Sequence, residues 1–248
     1  MAVGVPFVVA SDGFNHNNGV AGQATTAAVP VGALIVAAVN NPAAAALTTF
    51  HDSGGVNVYK PAIVNTVGRD AEWWYCNNAA ILPVGSQFTG VSNGTQWSAA
   101  VYAVTGASAG VDQTAQASVS SSGAMTMNTT SLVASGDIGF AVLNAGTANI
   151  ITDSNWTTLS TGFTAYLVSG STTGLTNSLT VNLGSNVAGA IATFIAGTYI
   201  SAGAGEADGT GAAPSIGAAA AAGVGTVTAA GAATAFGVGA VPALASDR

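Results

Sequence analysis

Between Gln96 and Leu143 two apolar runs, Trp97–Val104 and Ile138–Leu143, flank a polar segment rich in Ser, Thr and Gly. Each run has the length of one β-strand and is too short for a free-standing helix. The connection contains Val111-Asp112-Gln113-Thr114-Ala115 and ends in Thr129-Thr130-Ser131. A buried strand, a wide polar crossing and a second buried strand are what a two-sheet sandwich asks of its chain.

The remaining sequence is punctuated in the same way. Residues 1–22 read as an irregular N-terminal arm, with turn chemistry at Asp12-Gly13 and Asn15–Gly19. Gln23–Val29 and Val31–Val39 follow, joined at Pro30, and the second is almost continuously apolar, as a strand buried on both faces would be. Leu47–His51 and Val58–Val64 flank the turn Asp52–Asn57. Glu72–Asn77 is the most aromatic segment, and as a strand it must send Trp73 and Trp74 to opposite faces. Asn93-Gly94, between Gln87–Val91 and Trp97–Val104, is a hairpin signal. Met125–Asn128, Ile138–Leu143, Phe163–Val168, Ser178–Leu183 and Val187–Ile195 complete the series, with turn signals at Asn144–Gly146, Gly170–Gly174 and Gly184–Asn186. About a dozen short strands and no amphipathic helix predict an all-β fold, a single antiparallel β-sandwich of jelly-roll type over 23–197.

Past Gly197 the aromatics nearly vanish, and Ala and Gly dominate an arm over 198–248. Three 14-residue units align without gaps: GAGEADGTGAAPSI (203–216), GAAAAAGVGTVTAA (217–230) and GAATAFGVGAVPAL (231–244). Each carries a Gly-x-Gly pair, at Gly209/Gly211, Gly223/Gly225 and Gly237/Gly239. Glycine at a fixed period marks a backbone conformation that recurs in each unit, a turn or a close chain–chain approach. Each Gly costs a helix about 1 kcal/mol relative to Ala, so three per unit oppose the helix that Ala favours. The expectation is an extended or short-stranded arm that gains order by packing on other subunits, rather than a flexible linker. As a membrane span 217–245 is poor, because it lacks Ile and is interrupted by Gly and Thr.

Only 5% of the 248 residues are charged, against about 25% in an ordinary domain. Lys60, Arg69 and Arg248 face ten carboxylates, giving a net charge of −7. Clustered cations for phosphate binding are absent, so a nucleic-acid partner is not expected. A neutral Thr/Ser/Asn/Gly surface is easily covered by neighbours, since few ions need desolvation. Cys76 is the single cysteine, so no internal disulfide forms and packing alone must hold the fold. The start of the chain has no basic segment and its apolar run is broken by Gly4 and Pro6, a poor signal peptide. Mean hydropathy is +0.51, yet no 18-residue stretch is strongly apolar and free of Gly. The expectation is a protein made in a cytoplasm and not held in a membrane.

Chemistry-bearing residues are few. His51 beside Asp52 suggests a base and its orienting partner, with Cys76 as a nucleophile, but adjacent strand residues face opposite ways. Asp70 and Glu72 share one face at i, i+2, the spacing of paired acid–base or Ca²⁺-binding carboxylates, although a solvated pair balanced by Arg69 is the simpler expectation. Asp52, Asn57, Asp112 and Asp137 read as turn residues, and His16, among Asn15, Asn17 and Asn18, as an exposed loop residue. Trp73, Trp74 and Tyr75, with Trp97 and Trp156, are candidates for a sugar-stacking platform if exposed, and for core if not. P-loop, G-x-S-x-G, H-E-x-x-H and CxxC motifs are absent, so no enzyme, cofactor or metal is expected.

Six segments in order give a resemblance. They are Val29–Ala38, the Asp52…Asn57-Val58-Tyr59 turn, Glu72-Trp73-Trp74-Tyr75 with Asn77, Ala99–Gly106, Val111–Ala115 and Ala188–Phe194. Together they resemble a β-sandwich module of bacteriophage virion structural proteins and phage-derived bacterial genes, and the Gly/Ala repeat is similar to low-complexity stretches of such proteins. Trp74 and Cys76 depart from the resemblance, in a strand that usually has a smaller residue at one of those places. The resemblance implies a non-enzymatic head-decoration or tail-appendage subunit on the virion. Its partners would be copies of itself, trimers being common in such appendages, and a capsid or tail protein. The alternative it implies is a tail-fibre receptor-binding module that takes a bacterial surface glycan through Trp73, Trp74 and Tyr75.

Overall fold

A computed structural model describes residues 3–16, 21–41, 43–92, 97–120, 123–132, 137–145, 150–152, 154–160, 164–168, 176–183, 187–196, 219–222 and 225–227. Contacts divide the chain into two units, Met1–Tyr199 and Ile200–Arg248. Among the described residues every regular element is a strand, and every strand pairing is antiparallel.

The first eight strands are β1 (Phe7–His16), β2 (Ala21–Ala24), β3 (Leu34–Asn41), β4 (Leu47–Asp52), β5 (Lys60–Asn65), β6 (Asp70–Cys76), β7 (Gln87–Ser92) and β8 (Trp97–Val104). They form a five-stranded sheet of order β1-β8-β3-β6-β5 and a three-stranded sheet of order β2-β7-β4. The next eight are β9 (Ala107–Val119), β10 (Gly123–Leu132), β11 (Ile138–Ala145), β12 (Ile150–Ile151), β13 (Thr157–Ser160), β14 (Thr164–Val168), β15 (Thr176–Leu183) and β16 (Val187–Ala196). Their sheets run β9-β16-β11-β14-β13 and β10-β15-β12. Numbered within each half, both orders are 1-8-3-6-5 and 2-7-4. Strands 1, 8, 3 and 6 side by side, facing 2, 7 and 4, give the wound sandwich of a jelly roll. The body is therefore two such eight-stranded sandwiches in tandem, joined through Gly106, whose φ of 82° only glycine adopts without strain.

Three apolar layers separate four sheets. The first lies between the two sheets of the first half and holds Ile35, Ala37, Val39, Phe50, Trp74, Phe88, Trp97 and Val101. The middle layer joins the two five-stranded sheets through Leu34, Val36, Trp73, Tyr75 and Tyr102 on one side and Ile138, Phe140, Val142, Ala190 and Phe194 on the other. The third, with Met125, Met127, Leu143, Trp156, Val187 and Ile191, fills the second half. A strand of the first five-stranded sheet thus has core on both faces, which is why 34–39 and 70–76 are buried without alternation. Trp74 enters the first layer and Trp73 the middle one, on opposite faces as the strand reading required.

Besides the doubling of the single sandwich expected over 23–197, three expectations change. Residues 1–22 are not wholly irregular: Phe7–His16 is the edge strand β1, paired with β8, and β2 opens at Ala21. His16 is accordingly a strand residue opposite Trp97 rather than a loop residue. The polar crossing after residue 106 is itself strand β9, with Asp112 on it, not in a turn; its half-buried positions 111, 113, 115, 117 and 119 alternate with more exposed ones such as 112, 114 and 116 along an edge that needs no continuous apolar run. Asn93-Gly94 lies outside the described residues, and the flanking strands β7 and β8 belong to different sheets, so they do not pair as a hairpin.

In the arm, β17 (Ala219–Ala222) pairs antiparallel with β18 (Gly225–Val227). This short ladder lies within the second repeat unit.

Candidate functional site

The polar groups that the sheets enclose fall into three constellations. The first closes the turn after β4. Asp52 Oδ1 accepts the N–H groups of Gly54 and Gly55 at 2.9 and 3.1 Å, and Oδ2 accepts the Asn57 amide at 2.9 Å and the Tyr59 hydroxyl at 3.0 Å. Asn57 Oδ1 in turn accepts the Ala80 N–H at 2.7 Å. Burial, and then the Asp52 charge, push the Tyr59 hydroxyl far above its ordinary range, so it stays a donor. With four donors on one carboxylate the cluster is a self-satisfied corner. His51 is exposed while Asp52 is buried, so the two do not act as a pair. Burial pushes the Cys76 thiol up to about 11, which keeps it protonated and poorly nucleophilic at neutral pH.

The second constellation bridges the two halves across the middle layer. Asn65 Nδ2, at the end of β5, donates to Ala117 O and Gly189 O, both at 2.9 Å. Asn144 Nδ2 donates to Asn41 O at 2.9 Å and to Asp70 O at 2.6 Å. Tyr102 and Thr164 share a hydroxyl hydrogen bond of 2.7 Å, and the Trp73 indole N–H reaches Ala190 O at 3.3 Å. Such bonds satisfy groups that an apolar interface would otherwise strand. On β9, Gln113 N–H donates to Thr193 Oγ1 at 3.0 Å, which fixes the Val111–Ala115 segment to β16.

The third is the pair Asp70 and Glu72. The sequence suggests a solvated pair balanced by Arg69; both residues are instead fully buried. The reason is their face: with Trp74 and Cys76 they point into the first layer, where the chain entering β4 at Leu47 covers them. Glu72 accepts the Leu47 N–H on both oxygens, at 3.3 and 3.2 Å, and the Trp74 indole N–H at 3.1 Å. Neither oxygen of Asp70 has a hydrogen-bond partner. Burial raises the Asp70 carboxyl well above its ordinary range, and the charge of Glu72 raises it further. Burial also raises Glu72, against the lowering effect of its two N–H donors.

Trp73, Trp74 and Tyr75 form no stacking platform. Their rings are core: Trp73 lies 5.4 Å from Phe140, Tyr75 5.3 Å from Phe194, and Trp74 6.3 Å from Phe50. Trp97 and Trp156 are buried too. Of the arm glycines, Gly225 opens β18 opposite Ala222, and Gly209, Gly211, Gly223, Gly237 and Gly239 lie outside the described residues. Among the described residues no three His, Cys, Asp or Glu side chains are grouped to hold a metal ion, and no helix is long and apolar enough to cross a membrane. Exposed aliphatics gather on two loops that touch through Asn57 and Ala80, namely Val56 and Val58 on one, Ile81 and Val84 on the other. No protein-family model matches the chain, and comparison with curated proteins and with solved structures gives no match.

Proposed function

We propose that this chain is a structural subunit of a bacteriophage virion, a head-decoration or tail-appendage protein, whose Gly/Ala-rich end mediates assembly. The observation that carries the reading is the union of a tandem jelly-roll body with a three-unit, 14-residue repeat at 203–244. Jelly rolls serve viral capsid and lectin domains alike, so the fold supports a virion role by analogy only. The near-uncharged surface and the exposed Val56, Val58, Ile81 and Val84 make contact with neighbouring subunits inexpensive in desolvation. In this reading the arm of one copy adds backbone hydrogen bonds and small-residue packing to another copy or to a capsid or tail protein, as an added strand does.

Deletion of 203–248 tests it. Full-length protein supplied to assembling particles is expected to be incorporated and the truncated chain to be left behind in soluble form. Equal incorporation of both would refute the role of the arm.

A further inference from the structure

Asp70 and Glu72 leave the same face of β6, towards the layer that Trp74 and Cys76 continue. Above them lies the corner 43–47, which leads from β3 in one sheet into β4 in the next. Asn41 shapes the near side of that corner: its Nδ2 donates to Ala45 O at 2.8 Å and its Oδ1 accepts the Ala43 N–H at 2.9 Å. Ala44 is held in the left-handed region at φ 55°, a strained conformation for a residue with a Cβ. The far side is tied down by Glu72 through the Leu47 N–H.

Among the described residues no ion pair compensates the two carboxylates. Arg69 is next in sequence, yet its Nε is buried without a partner and Asp70 accepts no hydrogen bond. β3 contributes Asn41 to this face, and β4 contributes the Leu47 backbone, with His51 exposed and Asp52 occupied by Asn57 and Tyr59 at the far end. β2 and β7 carry no titratable side chain, and Tyr102 of β8 points into the middle layer. Lys60 of β5 and Cys76 lie at the other end of β6, and Asp12 and His16 sit on β1, beyond β8 and β3. Two ionised carboxylates here would face each other in an apolar layer, where an unpaired charge costs far more than a hydrogen bond returns.

We propose that Asp70 and Glu72 form a proton-held latch: while the pair keeps a proton, corner 43–47 stays closed on β6, and loss of that proton to solvent releases it. The sign follows from linkage. Both carboxyls are raised in the folded state, so between the ordinary carboxylate range and the raised range the folded chain holds more protons than the unfolded one. Stability is full below the ordinary range and falls as pH rises through the raised one.

The test is denaturant unfolding of the full-length protein at pH values from about 5 to 9, with amide hydrogen exchange at Leu47 read alongside. For wild type the folding constant is expected to drop by up to about tenfold per pH unit for each retained proton. Leu47 exchange should accelerate with pH more steeply than the unprotected amide does. Asp70→Asn, which keeps shape and removes the charge, should flatten both profiles, and Asp70→Asn with Glu72→Gln should abolish the slope. A flat wild-type profile, an unchanged slope in Asp70→Asn, or Leu47 protection that is independent of pH would overturn the latch. The exchange measurement on wild type decides the matter even if a variant fails to fold.

Discussion

The two halves wind eight strands in the same order yet fill themselves with different material. The first is built on interlocked rings: Phe50 stacks on Phe88 at 5.6 Å, meets Tyr59 edge-on at 5.4 Å, and touches Trp74 and Trp97 at 6.3 Å each. The second centres on Met125 and Met127 with Leu143, Ile191 and Trp156. Rings have few rotamers and defined contact geometry, whereas methionine bends to fit whatever gap remains. One winding thus tolerates a rigid and a pliable core. The polar interior differs in the same sense: strand 6 of the first half carries Asp70 and Glu72, and its counterpart β14 carries Thr164 and no acid. What the halves share is the face between them.

That shared face gives the largest expected effect. Trp73 touches Phe140 and donates to Ala190 O, so it belongs to both halves at once. Trp73→Ala should destabilise the body by about 3–5 kcal/mol, as buried Trp truncations do. If the middle layer makes the halves one cooperative unit, near-UV and far-UV signals will fall together in denaturant, wild type and variant alike. Separate transitions for the two halves would break the comparison by showing that they are stable independently.

A second effect probes the polar bridge. Asn144→Ala removes both bonds from Asn144 Nδ2 and leaves the carbonyls of Asn41 and Asp70 without that donor. The expected cost is about 1–3 kcal/mol by equilibrium unfolding, the penalty for a buried group that loses its partner. Asn144→Asp should be worse, since it adds a carboxylate beside two carbonyl oxygens. Equal stability of Asn144→Ala and wild type would show that water replaces the side chain there and that apolar packing alone joins the halves.

The sequence announced the class of fold but not its doubling. Continuous burial of 34–39 was legible because Leu, Ile, Val and Ala occupy both faces, and opposite placement of Trp73 and Trp74 follows from strand geometry. The tandem was hidden because alternation fixes a strand order without fixing residue identities: β6 reads DAEWWYC where β14 reads TAYLV, and β12 is two residues long. Strand β9 looks like a crossing in the sequence because an edge strand needs only half its positions apolar, and Gln, Ser and Thr take the rest. The burial of Asp70 and Glu72 could not be inferred locally. A carboxylate beside Arg69 looks solvated until the neighbouring sheet and the 43–47 corner are known to cover it.

The smallest effect separates the two cores most directly, because it adds one methyl group to each. A Cβ at Gly90 would lie 2.9 Å from Trp97 Cζ2, 3.2 Å from Trp97 Cη2 and 3.0 Å from Leu47 Cδ1. At Gly189 it would lie 2.7 Å from Met125 Cε and 2.7 and 2.9 Å from Met127 Sδ and Cε. By distance alone the second clash is the tighter. By stiffness the order reverses: the indole is wedged against Phe50 and can move only as a plate, while both methionine tips can rotate away. Gly90→Ala should therefore cost about 1–3 kcal/mol, the ordinary price of overpacking, and Gly189→Ala less than about 1 kcal/mol. Adding Met127→Leu to Gly189→Ala should raise its cost towards that of Gly90→Ala, since a branched side chain withdraws less easily than a thioether. If Gly189→Ala proves the more damaging of the two single variants, the methionine layer is as rigid as the aromatic one, and the distinction between the halves reduces to composition.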